Sequence, residues 1–99
     1  MGKESLVNYI QKILPMPVDK AEHITTFFTQ KYYTKNDFLL KEGNVCAESH
    51  FIESGFLRSF VVDIDGNEVT TDFYGSNIFA NDFLSFFKRI PSNENIQVF

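Results

Sequence analysis

Ninety-nine residues limit the chain to one domain, and folding at that length buries roughly 60–70% of the surface an unfolded chain exposes, enough for a core without disulfide or metal staples. A hydrophobic share of 43% with 22% charged residues excludes a disordered chain, and a net charge of −4 with nine scattered Lys and Arg argues against binding DNA or another polyanion directly. The single cysteine, Cys46, excludes an internal disulfide, and with no signal peptide and no apolar run near membrane-spanning length a cytoplasmic setting without membrane contact is expected.

In chain order, the opening Met1-Gly2 pair has the start of a myristoylation signal, but Leu6 stands where Ser or Thr is required. Leu6, Tyr9, Ile10, Ile13 and Leu14 recur at three- and four-residue spacing, which predicts a helix from about Glu4 to Leu14, ended by the Pro15-Met16-Pro17 run. A second helix should follow, with Asp19 and Glu22 as a capping box and Ala21, Ile24, Phe28 and Tyr32 as its buried stripe, widened by Phe27. Residues 1–33 therefore read as a helical lead-in.

After Tyr33 the period changes to that of strands, so residues 34–99 read as a β domain. Its clearest element is a hairpin over "FLRSFVVDIDGNEVTTDFY", with Asp65-Gly66 as a two-residue type I′ turn. Gly43, Gly55 and Gly75 end or begin runs, as turns between short sandwich strands require. Twelve Phe and four Tyr without Trp predict a phenylalanine-rich core. Asn77 to Ile96 then reads as strand, turn, short apolar helix, proline stop and strand again.

The segments "LLKEG" at 39–43, "FIESGFLRSF" at 51–60, "DIDGNEVT" at 63–70 and "YGSNIFANDF" at 74–83, taken in order and spacing, resemble the sensory domain of Crp/Fnr-type transcriptional regulators. The resemblance covers about Thr34 to the end, with the preceding helices similar to the family's lead-in. It implies a mainly β fold with N-terminal helices: a cyclic-nucleotide-binding-like double-stranded β-helix, or jelly roll (RmlC-like). It also implies that the chain stops before the last strands of the sandwich, and that a dimerisation helix and the DNA-binding part lie outside it.

In ligand-binding relatives, the segment after "YGSNIF" is a phosphate-binding cassette with a Phe-Gly-Glu signature, a short helix, and an Arg followed by a small residue. The helix N-terminus offers unpaired N–H groups, the Arg a forked cation, and the Glu an acceptor for a ribose hydroxyl. Carried onto this chain, the cassette begins at Phe79. Its glycine falls on Ala80, its glutamate on Asn81 or, with a one-residue shift, Asp82, and its arginine on Ser92, followed by Asn93. Every polar position departs from the pattern. Losing the Arg removes a contact worth roughly 1.5–3 kcal/mol, about one to two decades of affinity, and Asp82 adds negative charge beside the phosphate position. No cofactor is expected, cyclic nucleotide included. Arg58 and Arg89 are the candidate replacement anion contacts. Lys88 and Arg89 sit at the far end of the helix, where a solvated pair at a helix C-terminus is the preferred reading.

The other polar residues have bland readings. His23 and His50 form neither a His-x-His pair nor a cluster with Cys46, so no metal centre is expected, and one cysteine cannot hold an iron–sulfur cluster. Cys46 is read as a strand-turn residue. Arg58 alternates with Phe56 and Phe60, so it points either toward a ligand or across aromatic rings outside, the second being preferred. Glu53, Glu68 and Asp72 have no nucleophile or oxyanion signature beside them, so no enzymatic activity is expected.

The expected function is a sensory, effector-binding regulatory domain of a Crp/Fnr-like regulator, with an unknown small-molecule effector and with DNA reached only through another domain. The alternative is a ligand-free interaction module whose cassette is filled by Phe83, Phe86 and Phe87. A polar cavity at the helix N-terminus favours the first, and phenylalanines closing it favour the second. Assembly into a homodimer or larger species is expected, through "NIQVF" at 95–99 as an exposed edge strand and through the faces around Phe56, Phe60 and Phe73.

Overall fold

The structure, a computed structural model, describes residues 3–99 apart from the side chain of Phe83, so the Met1-Gly2 reading lies outside the described residues. The chain divides into two compact units, one ending at Tyr32 and one spanning Tyr33–Phe99. Among the described residues no helix is long and apolar enough to cross a membrane.

The first unit pairs α1 (Glu4–Ile13) with α2 (Val18–Thr25). Of the α1 stripe only Leu6 is buried, while Ile13 and Leu14 are exposed as the helix gives way to the proline run. The expected capping box does not form. Pro17, with φ −61° and an extended ψ of 153°, is the N-cap of α2, and its carbonyl accepts from the Lys20 and Ala21 N–H groups. The rigid proline starts the helix ahead of Asp19, leaving that carboxylate in the first turn, where it favours the helix dipole. Thr25 and Thr26 turn their hydroxyls back onto Glu22 O and His23 O at 2.6 Å each, and the helix ends there. Phe27 and Tyr32, expected on a buried stripe, are exposed beyond it. Lys3 Nζ donates to Thr25 O at 2.7 Å, placing a cation at the C-terminus of α2.

The second unit contains a four-stranded antiparallel sheet in the order β1 (Phe38–Leu40), β6 (Asn95–Val98), β3 (Leu57–Val62), β4 (Glu68–Tyr74). A second, two-stranded sheet pairs β2 (His50–Phe51) with β5 (Phe79–Ala80). The last strand is therefore interior. Ile96 pairs with Leu40 on one side and Ser59 on the other, and Gln97 lies between Phe38 and Arg58. Assembly through "NIQVF" as a free edge is overturned, because its backbone groups are used by β1 and β3.

The hairpin of β3 and β4 forms, but its turn differs from the expected one. The strands are joined by Asp63–Asn67, in which Gly66 has φ 85° while Asp65 is not at positive φ. The reason is Asp63: its Oδ1 accepts from the Asp65 and Asn67 N–H groups at 2.9 and 2.8 Å, and its carbonyl accepts from the Gly66 N–H. An Asx-type turn of this kind outcompetes the tighter type I′ form.

The edge strand β4 is interrupted. Ser59 pairs with Asp72 and Phe60 with Thr70, so Thr71 is an extra, bulged residue. The Asp72 carboxylate accepts from the next N–H, that of Phe73, at 2.8 Å. A bulge and a side-chain-capped donor both blunt an edge.

The core between the sheets is aliphatic rather than phenylalanine-rich. It consists of Leu40, Cys46, Ile52, Leu57, Ala80 and Ile96, with Tyr74, Phe86 and Val98 packed against it. Phe60 is the one phenylalanine in the buried set of the described residues. The two sheets approach through small and branched side chains, and the rings lie around them. Cys46, just after the isolated bridge of Val45 with Pro91, is buried in this core.

Candidate functional site

The cassette segment runs from β5 through Asn81 and Asp82 into α3 (Phe83–Lys88) and back through Pro91 to Glu94. Phe79 and Ala80 are fixed by their pairing with Phe51 and His50, and the Phe51 and Phe79 rings meet edge to face at 5.2 Å. Ala80 is buried in the core, and the Asn81 Nδ2 donates to Ser49 Oγ at 3.1 Å. Asp82 is the N-cap of α3: its φ of −101° and ψ of 100° leave the helix, and its Oδ1 accepts from the Ser85 N–H at 3.2 Å. The other oxygen, Oδ2, accepts from the Ser92 hydroxyl at 2.5 Å. Ser92, at the position the resemblance gives to an arginine, is thus bonded to Asp82, which the resemblance gives to a glutamate only with a one-residue shift, Asn81 being the unshifted position.

Ser92 is 2% exposed and Ser85 1% exposed. The Ser92 N–H donates to Asn44 O at 2.9 Å, its carbonyl accepts from the Gly43 N–H at 2.8 Å, and its Oγ accepts from the Glu94 N–H at 2.9 Å. Ser85 Oγ donates to Ile90 O at 2.6 Å and accepts from the Cys46 N–H at 2.8 Å. Two buried hydroxyls, each donating one hydrogen bond and accepting another, therefore bind α3 to the 43–46 loop and to the returning strand. Asn93 is exposed.

A cavity of about 290 Å³ lies beside the helix N-terminus, lined by Ser59, Thr71, Tyr74, Asn81, Ile96 and the carboxylates Asp72, Asp82 and Glu94. The bulge explains how Thr71 and its neighbour Asp72 both reach this cavity, since the extra residue breaks the alternation of the strand. Thr71 Oγ1 donates to Glu94 Oε1 at 2.6 Å and lies 2.8 Å from Ser59 Oγ. Among the described residues no lysine, arginine or histidine lines it. Burial pushes the Tyr74 hydroxyl above the usual tyrosine range, and the Asp72, Glu94 and Asp82 carboxylates push it the same way against a hydrogen bond from Ser59. A second groove, of about 400 Å³, opens on the core residues Leu40, Cys46, Ala80 and Ile96, with Lys41 and His50 at its wall.

Neither candidate arginine lines either cavity. Arg58 points to the face of β3 opposite Ser59, its guanidinium 4.1 Å from the centre of the Phe60 ring and donating to Glu68 Oε1 at 2.6 Å and Gln97 Oε1 at 3.2 Å. Arg89 is the C-cap of α3 at φ 56°, with its guanidinium 5.3 Å from the centre of the Phe86 ring. Of the phenylalanines expected to fill the cassette, Phe86 packs against the core, Phe87 is exposed, and the side chain of Phe83 lies outside the described residues. Phe87 is exposed because α3 turns its Ser85 and Phe86 face inward. His23 and His50 lie in different units, and no group of three His, Cys, Asp or Glu able to hold a metal ion occurs among the described residues. Ser59, Thr71, Tyr74, Ser85 and Glu94 were not legible as site residues, because a bulge and a returning strand bring them together.

No protein-family model and no curated protein matches this sequence, whereas solved structures do. The regulatory domain of Toxoplasma gondii PKA in complex with cAMP superposes with a TM-score of 0.78 at 17% identity over 97% of this chain. The fold is that of a cyclic-nucleotide-binding domain. The N-terminal domain of a transcriptional regulator from Streptomyces coelicolor matches 96% of the chain and 66% of its own length, at a TM-score of 0.77 and 17% identity. The catabolite activator protein of Thermus thermophilus matches 87% of the chain at a TM-score of 0.75 and 14% identity. This chain spans 40% of the length of the activator protein and 37% of that of the PKA domain.

Proposed function

We propose that the chain is a regulatory, effector-sensing domain of a Crp/Fnr-like transcription regulator that does not use a cyclic nucleotide, and that it is not an enzyme. The neighbours support the regulatory part, since they include regions of transcription regulators. One observation carries the rest: the cavity beside the cassette is lined by Asp72, Asp82 and Glu94 with no cation among the described residues. Bringing a phosphate into that field costs Coulomb energy that a neutral or positively charged effector does not meet. A polar cavity, with no phenylalanine in its lining among the described residues, favours the sensing role over the ligand-free module. In this reading DNA is contacted through another domain, and the setting is cytoplasmic. Calorimetric titration with cAMP and cGMP at near-physiological salt tests it; no heat of binding is expected, and micromolar binding overturns it.

A further inference from the structure

We propose that the cassette is latched shut by its own carboxylate: Asp82, held by the Ser92 hydroxyl and the Ser85 N–H, fixes α3 in place without any bound anion. The inference rests on the reading above and specifies how that site is regulated. α3 has six residues, too few to persist by helix propensity alone, so something outside the helix must hold it. One face packs through Phe86, while Leu84 and Phe87 are exposed and contribute little burial. Asp82 bridges the start of the helix to Ser92, Ser92 is tied through its backbone to Gly43 and Asn44, and Ser85 ties the helix to Cys46 and Ile90.

The chain of bonds continues outward. Glu94 donates its N–H to Ser92 Oγ and accepts from Thr71 Oγ1, which in turn meets Ser59 Oγ. The cassette helix, the returning strand and the β4 bulge are therefore joined by side-chain hydrogen bonds from Ser85 to Ser59. No buried side-chain nitrogen or oxygen among the described residues lacks a partner. An anion entering here would have to displace Asp82 and meet its charge. The carboxylate is thus an internal competitor: opening the latch is what an effector, or a contact transmitted through β4, would have to accomplish.

Amide hydrogen exchange on the whole chain tests this, with wild type, Ser92→Ala, Asp82→Ala and Asp82→Asn each measured alone and with millimolar cAMP. The latch predicts that the Ser85, Phe86 and Arg89 amides are protected in ligand-free wild type. Ser92→Ala and Asp82→Ala should each lower that protection about tenfold or more, as expected for loss of a hydrogen bond to a charged group. Asp82→Asn, which keeps an oxygen for the Ser85 N–H, should fall nearer wild type. Amides of β3 and β6 report whether the fold survives, and Ser92→Ala, which removes a single hydroxyl, keeps the test open if Asp82→Ala unfolds. Unchanged protection of α3 in Ser92→Ala, or an α3 as unprotected in wild type as in Asp82→Ala, overturns the latch. A rise in wild-type protection on adding cAMP instead overturns the anion-excluding reading of the cavity.

Discussion

The hydroxyl of Ser92 donates to the carboxylate of Asp82 across ten residues of sequence and so ties the start of α3 to the segment that leads into β6. Asp82 in addition caps α3 through the Ser85 N–H. Replacing Asp82 by Ala should therefore destabilise the domain by about 0.5–2 kcal/mol, the usual cost of a lost N-cap, and Asp82→Asn by less, because Asn also caps well. Urea unfolding followed by circular dichroism measures both. Equal midpoints for Asp82→Ala and wild type would show that the bond contributes nothing to folding.

Tyr74 supplies a pH dependence. Burial, aided by the Asp72, Glu94 and Asp82 carboxylates, raises its pKa above the usual value. A folded-state pKa above the unfolded one contributes stability that is complete below about pH 10, the unfolded value, and is lost as pH rises through the folded value. Compared with Tyr74→Phe, the wild-type urea midpoint should fall as the pH is raised past about 10. Parallel midpoints for the two proteins would mean that the tyrosine is not in that environment.

The interior position of β6 is tested by contrasting one of its own residues with the residue that follows the strand. Ile96 is 3% exposed between β1 and β3, whereas Phe99 is 66% exposed. Ile96→Ala should cost about 2–5 kcal/mol and Phe99→Ala under about 1 kcal/mol by chemical denaturation. Similar small costs for the two would place the segment at an edge, as the sequence alone suggested.

Association remains expected through the aromatic face around Phe56 and Phe73, without the edge strand and without Phe60, which is buried. Phe56, Phe73 and Phe99 are exposed, the last two meeting edge to face at 5.8 Å, and the Phe99 N–H donates to Phe56 O. An aromatic cluster of this kind, on a sheet whose edge is bulged, points to face packing rather than strand addition. Light scattering at several concentrations should show a mass above that of a monomer, which Phe73→Glu returns to the monomer value. A monomeric wild type up to high micromolar concentration contradicts this.

How legible the molecule was in its sequence depended on the range of the interactions involved. α1 and the β3–β4 hairpin were legible because spacing is local: Leu6, Tyr9 and Ile10 mark one helix face, and two β-rich runs flank Asp65-Gly66. The hairpin turn was misread because Asp63 competes for the backbone through its side chain, and the start of α2 because Pro17 fixes the chain before Asp19 can cap it. The run from Phe79 to Ser92 was legible as a strand, a short helix and a return after Pro91. What Asp82 does there was not legible. Its partner, Ser92, is brought back by a strand that pairs with β1 and β3, and Thr71 reaches the cavity through a bulge that alternation cannot reveal. The core was misjudged for a related reason: composition counts phenylalanines but does not say that sheets meeting over Ala80 and Ile96 leave most of the rings outside.

In the proposed reading the Asp82–Ser92 bond keeps the segment around α3 closed, and no cyclic nucleotide enters. The most direct measurement follows the backbone amide signals of Asn81, Asp82, Ser85, Ser92 and Glu94 in the isotope-labelled chain during titration with cAMP and with cGMP. These signals should stay in place up to millimolar nucleotide. Saturable shifts of the Ser85 and Ser92 signals with a micromolar midpoint would contradict it, since they would mean that phosphate displaces the Asp82 carboxylate.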